Sequence, residues 1–246
     1  MKSINETGHA KNVANFEDVI SFCTAYGSNY NPSKTSITLP ELNTQFSNAE
    51  NAIAQVTTTK NAFDNVTGIR QTTFAPLKPL ATKIINALSA TDAPDTVIKD
   101  AKTINRKLQG TSTTKKGEVN TETPPSENTT NTISTSQQSY DRLIDSFNKL
   151  IDLVGAEPKY IPNENDLKFT NLKTFLINLK TANTNVISKY TDYSNARIER
   201  DNQLYNPNNG LVETALSVKK YVKSVFGASS PQYKQVSGIK FTRPKS

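Results

Sequence analysis

The sequence predicts an all-α protein, a helical bundle of two tandem homologous units in a pseudo-two-fold arrangement. Three observations carry that prediction. Apolar residues recur every three or four positions along most of the chain, which marks an amphipathic helix rather than an alternating strand. The elements of the first half return in the same order in the second, at offsets drifting from 128 to 137 residues. Between the halves lies a polar stretch with two prolines, whose apolar residues are only Val119 and Ile133. The expected organisation is an unstructured tail over 1–13, a helical unit over 14–109, a linker over 110–138, and a second unit over 139–246 that ends in a basic tail.

The first helix of each unit has its own stripe. Phe16, Val19, Cys23 and Tyr26 precede Gly27, and Ile144, Phe147, Ile151 and Val154 precede Gly155, at an offset of 128. Glycine suits the left-handed position that ends a helix, so both are expected stops. A tyrosine turn follows, Tyr30-Asn31-Pro32 against Tyr160-Ile161-Pro162. Thr38 and Thr170 are the expected N-caps of two long helices.

Those helices carry Leu42, Phe46, Ala49, Ile53, Val56, Phe63 and Val66 in one unit. In the other they carry Leu172, Leu176, Leu179, Val186, Tyr190, Tyr193 and Ala196. The spacing resembles that of a coiled coil. Arg70 and Arg200 stand at an offset of 130 near their ends. Pro76 and Pro79 then break the first, and Pro207 the second, because a proline ring clashes with the preceding turn. Third helices begin around Leu80 and Leu211. Ala93-Pro94 and Ser230-Pro231 open a last element. It runs on to about Leu108 in the first unit, and in the second Gly238 breaks it into a short turn and an extended tail. The stretch from 110 to 138 is rich in Thr, Ser and Asn and cannot bury enough surface to offset its ordering entropy.

Composition narrows the chemistry. His9 is the one histidine and falls in the polar N-terminal stretch, which argues against Ser-His-Asp and Cys-His catalysis and against any multi-histidine metal site. The single cysteine, Cys23, lies on an apolar stripe and reads as a small buried hydrophobe. No phosphate-binding glycine loop occurs among the nine glycines. Glu17, Asp18, Asp141, Asp145 and Asp152 fall opposite the apolar stripes, as solvating charges do. No catalytic residue, cofactor or metal is expected. Hydrophobic residues are only 35% and mean hydropathy is −0.57. No run approaches the ~18 apolar residues of a membrane span, no signal peptide is legible, and a cytoplasmic location is expected.

Formal charge is +7, and nine basic against three acidic residues lie between Arg197 and Ser246. Lys219, Lys220 and Lys223 sit beside Val218, Val222 and Val225, with Lys240 and Arg243 further on. Together with Arg70 and Arg200 these are the candidate contacts to a polyanion or an acidic partner. The segment from Tyr221-Val222-Lys223-Ser224-Val225-Phe226-Gly227 through Ser230-Pro231-Gln232-Tyr233 to Gly238-Ile239-Lys240-Phe241 resembles uncharacterised helical proteins of Bacteroidetes-type bacteria. The resemblance covers about the last fifty residues and implies no activity. The expected function is a non-catalytic scaffold or protein-interaction protein that also self-associates. The alternative is a basic module that binds nucleic acid or another polyanion through its C-terminal fifth.

Overall fold

A computed structural model describes residues 6–110 and 139–244, and no strand occurs among them. Helix α1 (Glu6–Ala25) leads into a 3-10 turn at Gly27–Asn29 and a second at Thr35–Ile37. Then come α2 (Leu39–Phe74), α3 (Leu77–Ser89) and α4 (Asp95–Gln109). After the undescribed stretch, α5 (Tyr140–Ala156) precedes a 3-10 turn at Asn165–Leu167, followed by α6 (Phe169–Tyr205), α7 (Leu211–Phe226) and α8 (Pro231–Ser237). Three prolines mark corners as expected, while Pro79, expected to be part of the break, lies inside the first turn of α3. Pro76 lies between α2 and α3, Pro207 between α6 and α7, and Pro231 opens α8 with the Ser230 hydroxyl accepting from the Tyr233 amide at 3.1 Å.

Two long helices, of 36 and 37 residues, are the frame. Threonine is a poor helix former, yet α2 is rich in it. The hydroxyls of Thr44, Thr59, Thr72 and Thr73 each donate to the carbonyl four residues back, at 2.7 to 3.1 Å. This keeps each hydroxyl satisfied without a competing turn. Buried Leu42, Ala49, Ala52 and Val56 supply the packing face.

The chain forms two compact units. A terminal unit takes residues up to Asp64 and from Ser188 on, and a central unit takes Asn65–Ile187. The core of the terminal unit includes Phe16, Val19 and Cys23 of α1, Leu42 and Ala49 of α2, Leu204 of α6, Leu211, Val218 and Val222 of α7, and Val236 of α8. All of these are fully buried. In the central unit the corresponding set is Ile84 and Leu88 of α3, Ala101 and Leu108 of α4, Phe147, Leu150 and Ile151 of α5, and Leu172 and Leu179 of α6. Burying each Leu, Ile or Phe side chain contributes about 1.5–3 kcal/mol.

Several expectations are corrected. The compact units are not the halves 14–109 and 139–246, since each takes helices from both. A 36-residue helix is about 54 Å long, more than one short helix can cover, so each long helix has one stretch in each unit's core. The tail expected over 1–13 is helical from Glu6 on. His9, Asn12, Val13 and Phe16 continue the α1 stripe upstream, and all four are buried. Gly27 is left-handed at φ 58°, but Gly155 stays inside α5. There the half-exposed Phe169 ring lies against the glycine, and a Cβ would push that ring aside. Thr38 stands at the N-cap position of α2, extended and with its carbonyl accepting from the Leu42 amide at 2.9 Å, while its hydroxyl donates to the Thr35 carbonyl, whereas Thr170 already lies inside α6. The linker expected over 110–138 falls outside the described residues, except for Gly110. That residue ends α4 at φ 82° with its amide donating to the Arg106 carbonyl at 3.1 Å.

Candidate interaction surface

In the terminal unit α7 packs its apolar face on α1 and α8, and after a turn at Gly238 residues 239–244 continue as a strap outside any helix. The strap is held by amide chemistry. Asn12 of α1 is 1% exposed. Its Nδ2 donates to the Thr242 carbonyl at 2.7 Å, and its Oδ1 accepts from the Thr242 amide at 2.9 Å. Asn15 adds a bond from Nδ2 to the Lys240 carbonyl at 2.6 Å. One turn upstream, His9 Nδ1 and the Tyr205 hydroxyl lie 2.7 Å apart. Buried polar groups need such partners.

The basic residues divide into two kinds. Lys219 donates Nζ to the Ser237 and Ile239 carbonyls and sits 5.3 Å over the Phe241 ring. Burial lowers its pKa, because desolvation disfavours the ammonium. Arg243 pairs with Glu213. Arg200 is 3% exposed and donates Nε and Nη2 to Asp201 Oδ1 at 3.0 and 2.7 Å. Arg70, in the central unit, stacks 3.9 Å over the Tyr140 ring and donates Nη1 to Asn183 Oδ1 at 3.1 Å. Asn183 in turn donates to Asp141 at 2.8 Å. Lys219, Arg200 and Arg70 are tied into the fold, whereas the Arg243 pair lies at the surface. Lys220, Lys223 and Lys240 are exposed, with Lys223 lying 5.7 Å over the Tyr233 ring. These three, together with Arg243, whose side chain is 53% exposed, present charge to an incoming anion.

Each unit has an open cleft beside its tyrosine turn. The terminal one, about 300 Å³, is lined by Lys34, Glu41, Gln45, Asn48, Asn209 and Glu213 among others. The central one, about 590 Å³, is lined by Lys83, Tyr160, Ile161, Glu164 and Asp166 among others, and Lys83 pairs with Asp166 at 3.0 Å. Cys23 is fully buried in the terminal core, and burial pushes its thiol up to about 12, away from the thiolate form a nucleophile needs. Burial also pushes the Tyr160 hydroxyl up to about 12. Among the described residues no three His, Cys, Asp or Glu side chains gather to hold a metal ion. No described helix is long and apolar enough to cross a membrane.

Sequence reasoning missed the clasp of Asn12 on Thr242. A signal existed, since His9 and Asn12 fall at helical spacing upstream of Val13 and Phe16, but polar residues on a stripe do not announce burial. It also missed the outward face of α6, where Ile177, Ile187 and Ile198 are each more than half exposed. No family model, curated protein or solved structure matches the chain.

Proposed function

We propose that this chain is a non-catalytic helical scaffold that works through protein contacts and is built from two divergent copies of one unit. The observation that carries the reading is large apolar side chains held outward on regular structure. Ile198 is 65% exposed, Ile177 61% and Ile187 58%. Soluble proteins rarely leave such patches uncovered.

The duplication is supported by local geometry at an offset of 130. The Tyr30 hydroxyl donates to the Ile37 carbonyl at 2.6 Å, and the Tyr160 hydroxyl to the Leu167 carbonyl at 3.2 Å. The 3-10 turns Thr35–Ile37 and Asn165–Leu167 match in position, as do the starts of α2 and α6. The pairs Leu42 and Leu172, Ala49 and Leu179, Ala52 and Ala182, and Val56 and Val186 are buried alike.

A second reading, polyanion binding, is favoured by exposed Lys220, Lys223, Lys234 and Lys240 in the terminal unit. One experiment separates the two. The full chain is immobilised and exposed to lysate with and without nuclease, at two salt concentrations. Capture of the same proteins under all four conditions is the expected result. Loss of capture with nuclease, or a steep fall with salt, replaces the scaffold reading with the polyanion one.

A further inference from the structure

We propose that the two halves of this chain, residues 6–110 and 139–244, are binding partners for one another, and that the matching half of a second copy fits equally well. The inference stands apart from the scaffold reading, because the surfaces it names lie inside each compact unit. It follows from the order in which the chain supplies the two cores. The terminal unit takes α1 and the start of α2 from the first half, and the end of α6, α7 and α8 from the second. The central unit takes the end of α2, α3 and α4 from the first half, and α5 and the start of α6 from the second.

Neither half closes a core of its own. In the terminal unit α1 packs on α7 and α8, and α7 also meets the 3-10 turn Thr35–Ile37. Phe16, Val19 and Cys23 of the first half are fully buried in one cluster with Leu211, Val218 and Val222 of the second. In the central unit α5 packs on α4 and α3, and α3 meets the turn Asn165–Leu167. There Ile84, Leu88 and Leu108 of the first half share a core with Phe147, Leu150 and Leu172 of the second. Since α1 serves one unit and α3 the other, the two helices of one half do not cover each other's stripes. Without the opposite half both stripes face water, and hiding them is what drives the halves together.

Polar groups fix the register of the same surfaces. In the terminal unit Asn12 clasps the Thr242 backbone. The Tyr26 hydroxyl donates to the Gln232 carbonyl at 2.9 Å, and Gln45 Nε2 to the Asn209 carbonyl at 2.7 Å. In the central unit Arg70 bonds Asn183 and stacks on the Tyr140 ring, which Phe74 meets edge-on at 4.7 Å. Each of these contacts joins one half to the other. A half from a second copy carries the same groups and makes the same contacts, which is the condition for exchange between copies. A connection of 28 residues sets the halves at an effective concentration of about 1 mM. The same-chain partner therefore prevails in dilute solution, and cutting the connection removes that preference.

A protease site inserted between Pro124 and Pro125 tests this, since the full chain folds before it is cut. The two pieces should stay paired at about 1 µM, sedimenting as one particle with the circular dichroism of the parent. Asn12→Leu should weaken the cut pair about tenfold. Lys149→Gln, which breaks only an exposed ion pair within α5, should leave it unchanged. For the second copy, an isotope-labelled chain tagged at Met1 and an unlabelled, untagged chain are both cut, unfolded together in urea and refolded. Capture by the tag should recover labelled and unlabelled second halves in equal amounts. Pieces that part at about 1 µM, folded or unfolded, overturn the proposal. So does a cut pair indifferent to Asn12→Leu, or a tag that recovers no unlabelled second half. Such a failure leaves the scaffold reading, which rests on outward side chains, as it was.

Discussion

The two long helices are alike where they are buried and unlike where they are exposed. Leu42 of α2 and Leu172 of α6 are both fully buried, and Val56 and Val186 are 3% and 5% exposed. Across the outward face, Ser47, Thr57 and Gly68 of α2 stand where α6 has Ile177, Ile187 and Ile198. The packing face determines whether the helix holds its core, and many polar outward faces serve equally well for that. An apolar one is not required for that.

The largest effect should come from breaking the buried likeness. Leu42→Ala and Leu172→Ala each remove a side chain with no exposed surface, and each should cost about 2–5 kcal/mol through lost burial and the cavity left behind. Urea unfolding followed by circular dichroism measures both. Costs of the same size mean the two helices do the same structural work, and a difference beyond about 2 kcal/mol breaks the likeness.

Next in size is the place where the units close differently. The central unit closes with α4, which buries Ala101 and Leu108, while the terminal unit closes with short α8 and the strap clasped by Asn12. Asn12→Leu keeps the volume and strands a backbone amide and carbonyl, so a loss of about 1–3 kcal/mol is expected. Amide exchange at Thr242 should accelerate in this variant while α4 is unaffected. Unchanged exchange there would show that the strap is held by something other than the clasp.

A smaller effect separates the tyrosine turns. Tyr30→Phe and Tyr160→Phe each delete one hydroxyl donor to a carbonyl, for about 1 kcal/mol. The shorter bond, at 2.6 against 3.2 Å, makes Tyr30 the costlier loss. Equal costs in thermal unfolding would place the two turns on the same footing. Smallest of all, Ile187→Thr, which copies the residue α2 has at Thr57, should change monomer stability by no more than about 0.5 kcal/mol. A larger loss would mean that the outward isoleucine serves the fold after all.

Much of this architecture was legible in the sequence, because helical spacing and proline carry local physics. The corners at Pro76 and Pro207, the long helices and the burial of Cys23 all follow from neighbours a few residues away. What escaped depends on contacts distant in sequence. Asn12 meets Thr242 across 230 residues, so a polar stretch became a buried helix. Gly155 looked like a stop because nothing local reveals that Phe169 lies against it. Arg70 and Arg200 were visible as a matched pair, but their stacking and burial were not, and a charge read as free for a partner proved tied to Tyr140 in one case and Asp201 in the other.

The central claim is that the outward face of α6 is a working surface, and isoleucine methyl resonances report on it directly. In spectra of the labelled full chain titrated with unlabelled lysate, the methyls of Ile177, Ile187 and Ile198 should shift or broaden. Those of Ile69 on α2 and Ile161 in the central tyrosine turn should stay fixed. Three α6 methyls unchanged throughout the titration, or shifts that move Ile69 and Ile161 as much, would contradict the account.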